Sequence, residues 1–229
     1  MVPDMDPAAD FTKNPLFVES YWRRPQNVNQ GDPEGGIVYK AVGYALTNWE
    51  RAEEMLGGLY LRLVRATEPS YDPIRRAYGS IDSNSGRRKA IDAAAEAYFG
   101  QDWNDDDTRR AFFRLTEAVG WASKRRDDIA HGIVLGQVMD DVHYGYFLFP
   151  PDYNTSRTNL FAEVSDDDPL YHTMTKYRFT SEQVRSLGDK FRTLRDAVAH
   201  HSGLILSGPQ TFIRAVKGID MFGAKLHGR

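Results

Sequence analysis

The run Lys124-Arg125-Arg126-Asp127-Asp128-Ile129-Ala130-His131-Gly132 sets arginines, aspartates and a histidine side by side. An arginine is a permanent cation that grips carboxylate or phosphate. An imidazole exchanges protons near neutral pH, and a carboxylate beside it fixes which nitrogen does so. Further on, Arg195-Asp196-Ala197-Val198-Ala199-His200 repeats the skeleton R-D-x-x-A-H. Either both runs are solvated helix ends, or at least one is a site.

Successive residues of an α-helix are turned by about 100°. On that wheel Arg126 continues the apolar stripe of Leu115, Val119, Ala122 and Ile129, so it points inward. A guanidinium facing a core or an interface is costly to desolvate unless an anion meets it. His131 lies roughly 140° from Arg126 on an ideal helix. Asp127 and His131, spaced i and i+4, share a face. Arg126 and His131 therefore converge only if the helix loosens at Gly132, if the long arginine bends round, or if a second chain takes part. A purely structural explanation competes with this: basic residues near a helix C-terminus complement its dipole, and an Asp–His pair at i,i+4 adds modest support. It handles the inward Arg126 badly. In the second run the stripe passes through Leu194 and Val198, which leaves Arg195 at its margin and His200 toward solvent. That run reads as a solvated helix face, and its likeness to the first as accident.

The elements that position these residues follow from periodicity. Residues 1–36 are rich in Pro, Asp, Asn and Gly and read as an irregular N-terminal arm, with the aromatics of Phe17-Val18-Glu19-Ser20-Tyr21-Trp22 docking on the body. From Ile37, the residues Ala45, Trp49, Ala52, Leu56, Leu59 and Leu63 step by fours and threes, which predicts a long amphipathic helix closed by Pro69 and Pro73. A short helix over 74–81 and another over 87–99, ending at Gly100, should follow. Asn104 to Asp107 offers an N-cap and an acidic first turn to the helix that carries the first run. Phe112, Leu115, Val119 and Ala122 mark its buried stripe, and Gly132 is placed just past its end. After Gly132 the period becomes that of strands: 132–139 and 142–150, joined by Asp140-Asp141, read as a hairpin, and 170–179 as a third strand. Thr180-x-x-Gln183 resembles a capping box opening a helix striped by Val184, Leu187, Phe191, Leu194 and Val198. A last amphipathic piece is expected over 211–219. The fold class is thus mainly α: one domain over 1–229, with the arm at 1–36, a helical bundle at 37–131, a β insertion at 132–179 and closing helices at 180–229.

Composition narrows the function classes. At 41% hydrophobic and 27% charged residues the chain can bury a sizeable core, and wholesale disorder is not expected. A net charge of −3 gives no general attraction to nucleic acid or membrane, so any such contact needs a local basic patch. With 0 cysteines there is neither a disulfide framework nor a thiolate-ligated metal. The first residues show no basic region followed by an apolar one, and no run approaches the ~18 apolar residues of a membrane span. A cytoplasmic protein with no membrane partner is the expectation.

The run Arg125-Arg126-Asp127-Asp128-Ile129-Ala130-His131-Gly132 at a helix end resembles the signature of the HEPN superfamily (higher eukaryotes and prokaryotes nucleotide-binding), R-x(4–6)-H with a polar residue after the arginine and often I-A-H-G at the close. Arg126 matches the arginine, Asp127 the polar position and His131 the histidine. Upstream, Asn48-Trp49-Glu50-Arg51-Ala52-Glu53-Glu54 is similar to the first helix of many bacterial members, so the resemblance covers about 37–132. It implies a HEPN-like antiparallel helical bundle. It also implies a metal-independent endoribonuclease without cofactor, often a toxin or antiphage effector, working as a homodimer whose paired motifs face a cleft. His131 would take the proton of a ribose 2′-hydroxyl, Arg126 would stabilise charge on the phosphoryl oxygens, and a 2′,3′-cyclic phosphate would result. Asp127 would orient His131 or the substrate hydroxyl. Lys124 and Arg125 would hold the RNA backbone. The partners implied are RNA, a second copy, and an antitoxin or other regulatory protein.

Two other readings stand beside it. Some members of this superfamily are catalytically silent dimeric modules that bind nucleotide, sense or scaffold. Metal-dependent hydrolysis through His143, His172 and Asp166 to Asp168 is a third, and it lacks any recognised ligand spacing.

Overall fold

In a computed structural model, residues 14–67, 69–102, 106–151, 153, 170 and 175–206 are described, except for the side chains of 101, 102, 106, 204 and 206. Among them the chain is mainly helical. The helices are α1 (Gly35–Leu63), α2 (Tyr71–Gly79), α3 (Asn84–Asp102), α4 (Asp106–Ala130) and α5 (Ser181–Leu206). One antiparallel sheet joins β1 (Ile133–Met139) to β2 (Val142–Phe149). This is the mainly α class with a small β insertion. The chain groups into two compact units, one of Met1–Tyr21, Ala52–Trp121 and Leu194–Arg229, the other of Trp22–Arg51 and Ala122–Thr193.

In the first unit, the stripe residues Ala52, Leu56, Leu59 and Leu63 of α1 are buried, as are Phe112, Leu115 and Val119 of α4 and Leu194 and Val198 of α5. Phe99 meets Phe112 edge to face at 5.4 Å, and Tyr60 stacks on Tyr78 at 4.8 Å. Several helix ends differ from the expected ones for local reasons. α1 stops at Leu63, well before Pro69. Its last carbonyls are closed by Arg65 N–H donating to Arg62 O (3.0 Å) and Ala66 N–H donating to Leu61 O (2.9 Å), with Arg65 left-handed at φ 53°. That is a Schellman closure with arginine where glycine is the rule, so composition carries no sign of it. Pro73, instead of ending α1, sits in the first turn of α2, where the amide it lacks would have had no helical partner. α3 begins earlier than its apolar pattern because Ser83 Oγ caps Gly86 N–H at 3.0 Å, and it runs through Gly100. Asn104 and Asp105, the expected cap of α4, lie outside the described residues, as does 211–219.

His201, on the last turns of α5, is buried, with Nδ1 at 2.9 Å from Ala197 O. Burial holds its pKa down at about 4. In the unfolded chain the imidazole titrates at its ordinary value of about 6.5. Between these values the unfolded state binds the extra proton, so stability is complete above pH 6.5 and is lost as the pH falls toward 4. The loss expected is about 3 kcal/mol, at 1.36 kcal/mol per pH unit. Urea denaturation between pH 7.5 and 4 should show this component in the wild type and lack it in His201→Gln.

In the second unit, Trp22, Trp49 and Phe191 form an aromatic cluster, with Trp22 stacked on Phe191 at 6.1 Å and Trp49 edge-on to it at 5.4 Å. The expected docking of the arm's aromatics is therefore observed at Trp22, as it is in the first unit at Phe17. The hairpin turns at Asp140 and Asp141, both left-handed (φ 49° and 61°), the backbone of a two-residue turn matched to strand twist. Aspartate reaches that conformation more readily than most side chains because it bonds locally to its own backbone.

The arm is irregular, and it is also pinned. Asp32 and Tyr146 exchange backbone hydrogen bonds (2.9 and 2.7 Å), and Gly31 N–H donates to Tyr144 O at 2.7 Å. This close approach needs Gly145, at φ 93°, where a Cβ would stand 2.6 Å from the Gly31 carbonyl carbon. Gly145→Ala is expected to cost about 2 kcal/mol or more through the left-handed backbone and the collision together, read from the urea midpoint.

A third strand over 170–179 does not form among the described residues. Residues 171–174 lie outside them, and Phe179 makes only an isolated bridge with Leu148. A contact distant in sequence competes with it: Arg178 N–H donates to the Asn27 side chain (3.0 Å), and its buried guanidinium donates to Val28 O and Asn29 Oδ1. That amide is therefore unavailable to a ladder. The capping box does form: Thr180 N–H donates to Gln183 Oε1 (3.0 Å), and Gln183 N–H reaches Thr180 Oγ1 (3.4 Å). Asp32 adds to it, accepting from Ser181 N–H at 2.7 Å and from its hydroxyl at 2.5 Å.

Candidate functional site

α4 delivers the first R-D-x-x-A-H run to its own C-terminus within the second unit. Ala122 and Ile129 are buried, as the inward stripe requires. Arg126, between them on that face, keeps 28% of its side chain exposed. Its Nε is buried and makes no hydrogen bond, while Nη1 donates to Asp127 Oδ1 at 2.9 Å. The guanidinium therefore bends sideways to its sequence neighbour. His131 lies one residue beyond the helix, exposed, with its backbone N–H donating to Asp127 O (3.2 Å) and Gly132 N–H to Ile129 O (3.2 Å). The expected side-chain pairing of Asp127 with His131 is not made, because the Asp127 carboxylate accepts from Arg126 instead. The imidazole is thus exposed at a free helix end, two residues before β1.

The neighbouring acid plays a different part. Asp128 is 2% exposed. It accepts two parallel hydrogen bonds from Arg24, at 2.9 Å from both Nε and Nη2, and Arg125 Nη2 lies 3.3 Å from it. Tyr177 donates its hydroxyl to the Asp128 backbone carbonyl (3.1 Å), and the Arg24 guanidinium lies 4.7 Å from the centre of the Tyr177 ring. Forked pairs of this kind are the strong ones, and a buried carboxylate needs one. Burial acts to lower the Arg24 pKa, but the hydrogen bond and charge of Asp128 outweigh it and raise the value. Lys190, half-buried on α5, is shifted the other way, first by burial and then by the charge of Arg125. Cations are therefore concentrated around this helix end, and one of them is already under repulsion.

Of the residues singled out in the sequence, Arg126, Asp127 and His131 share the last turn of α4 and the residue after it. Lys124 is exposed, and Arg125 is largely covered and engaged with Asp128. Arg24, Asp128, Tyr177 and Lys190 escaped sequence reasoning. Arg24 and Asp128 stand 104 residues apart, and no spacing rule links an irregular arm to a helix end. His143 is exposed on β2, while His172 and Asp166 to Asp168 lie outside the described residues. Among the described residues no group of His, Asp and Glu is placed to hold a metal ion, and no helix is long and apolar enough to cross a membrane. Compared with known proteins, the chain matches no family model, no curated protein and no solved structure.

Proposed function

We propose that the protein is a metal-independent endoribonuclease of the HEPN type, with Arg126 and His131 as its catalytic pair. His131 takes the proton of a ribose 2′-hydroxyl. The oxygen so freed attacks the adjacent phosphorus, the bond to the 5′-oxygen breaks, and that oxygen leaves as a hydroxyl after taking up a proton. The products are a 2′,3′-cyclic phosphate and a 5′-hydroxyl end. Arg126 stabilises the charge that grows on the phosphoryl oxygens, which is worth most in a site that excludes water. Asp127 holds the Arg126 guanidinium in its bent posture (2.9 Å). Lys124 and Arg125 contribute positive charge for the flanking backbone.

The observation that carries this reading is the last turn of α4. It holds an inward arginine with a buried, unsatisfied Nε beside an exposed histidine that no carboxylate has claimed. The protein works in this reading as a cytoplasmic homodimer with two such motifs facing one RNA strand, as a toxin or antiphage effector restrained by an antitoxin or similar regulator.

One observation favours a second reading. Asp127 already occupies Arg126 and places negative charge where phosphate would come, as suits a catalytically silent dimeric module that binds nucleotide, senses or scaffolds. Incubating RNA with the purified protein in EDTA separates the two. The ribonuclease cleaves it and loses this activity in Arg126→Ala and His131→Ala, whereas the silent module leaves the RNA intact in all three.

A further inference from the structure

Helix α5 bears the second R-D-x-x-A-H run, Arg195 to His200, which sequence reasoning set aside as a solvated face. One element of its geometry is shared with the first: the arginine turns to its own neighbour, through Nη1 alone on α4 and through Nε and Nη2 on α5. Neighbours i and i+1 on a helix are turned about 100° apart and do not face each other, so arginines there ordinarily reach acids three or four residues away. Both helices contain such ordinary pairs: Arg125 with Asp128 (3.3 Å) on α4 and Arg192 with Asp189 (3.0 Å) on α5. In each of the two R-D-x-x-A-H runs the arginine turns instead to the adjacent aspartate. Arg126 Nη1 lies 2.9 Å from Asp127 Oδ1, while Arg195 Nε and Nη2 lie 2.8 and 2.6 Å from Asp196 Oδ1.

The surroundings match as well. Arginine and aspartate are 28% and 40% exposed in the first run, 28% and 41% in the second. In each, an exposed histidine follows the arginine by five residues, and in neither does the aspartate bond to it. Sequence skeleton, side-chain posture and degree of exposure therefore recur together, and a solvated helix face requires none of the three. Desolvation lowers the His200 pKa from its ordinary value, although the residue as a whole keeps an exposed surface. His201 takes no part, since it is buried against Ala197 O.

We infer that Arg195, Asp196 and His200 form a second cluster for the same ligand chemistry, a phosphodiester of single-stranded RNA. Arg195 contacts phosphoryl oxygens, and His200 accepts the 2′-hydroxyl proton in the reaction described above. The catalytic part of this inference rests on the proposed ribonuclease reading, and the binding part on the first run being an RNA site, whether or not it cleaves.

The test uses the full chain in EDTA with a fluorescently labelled single-stranded RNA. Cleavage and binding anisotropy at several salt concentrations are compared for wild type, Arg195→Ala, His200→Ala and the milder His200→Gln, with urea midpoints recorded for each. The expected result is at least a tenfold loss of cleavage in His200→Ala and His200→Gln at unchanged midpoint. In Arg195→Ala the slope of log affinity against log salt should fall by about one. Wild-type cleavage rates in all three variants overturn the catalytic role of this cluster, and an unchanged salt slope in Arg195→Ala overturns its RNA binding. A wild type that binds RNA without cutting it refutes the ribonuclease reading instead. The salt slope of Arg195→Ala then decides this inference by itself.

Discussion

His131→Ala should reduce RNA cleavage about 10²–10⁴-fold, the range for removal of a positioned general base, and leave the urea midpoint within about 0.5 kcal/mol of wild type. The two expectations belong together. The imidazole is exposed, lies beyond the end of α4 and makes no hydrogen bond among the described residues, so its removal leaves neither a cavity nor an orphaned group. Arg126→Ala should cost cleavage on a similar scale by removing stabilisation of the charged transition state. Its stability effect should be small, because the Arg126 Nε already lacks a partner and its one bond, to the part-exposed Asp127, is of the surface kind that contributes little. Activity lost without stability would mark residues kept for chemistry.

Asp128→Ala should do the reverse and lower stability by about 3 kcal/mol or more, the magnitude that follows when one partner of a buried ion pair is removed. The carboxylate is 3% exposed and is shared by Arg24 and Arg125, whose side chains are 28% and 12% exposed. Its loss takes from both guanidiniums the carboxylate they share, and the second has little water to turn to. Arg24→Ala should cost less, because Arg125 remains beside Asp128. The double variant should fall short of the sum, as it does for groups sharing one network. Urea denaturation of the four proteins measures the coupling, and equal midpoints would show that the arm is not held through this pair. Asp127→Ala offers the contrast: Asp127, adjacent in sequence but 40% exposed, should change stability little.

Local rules made much of this fold legible. The buried stripe of α5 follows a 3.6-residue period, the Thr180–Gln183 box opens that helix, and Asp140-Asp141 turns the hairpin, each from residues within a few positions of one another. Elsewhere a residue type or a distant contact overruled the local signal. Arg65 closes α1 in a conformation that glycine normally supplies, so the proline that follows was given the stop instead. Arg178 spends its amide and guanidinium on Asn27, Val28 and Asn29, about 150 residues earlier in the chain, so among the described residues its amide joins no ladder. At the candidate site, the types and spacing of Arg126, Asp127 and His131 were legible. Their pairing was not, because a bent arginine competes for the carboxylate on equal terms with an i,i+4 histidine. The posture of Arg195 was hidden for the same reason, and only side-chain geometry reveals that the two runs are alike.

The most direct test is the chemistry of the RNA ends produced in EDTA by wild type, Arg126→Ala and His131→Ala. Cleavage by the wild type alone, leaving 2′,3′-cyclic phosphate and 5′-hydroxyl ends, is the expected result. Intact RNA with the wild type, or the same fragments from His131→Ala at an undiminished rate, would contradict it.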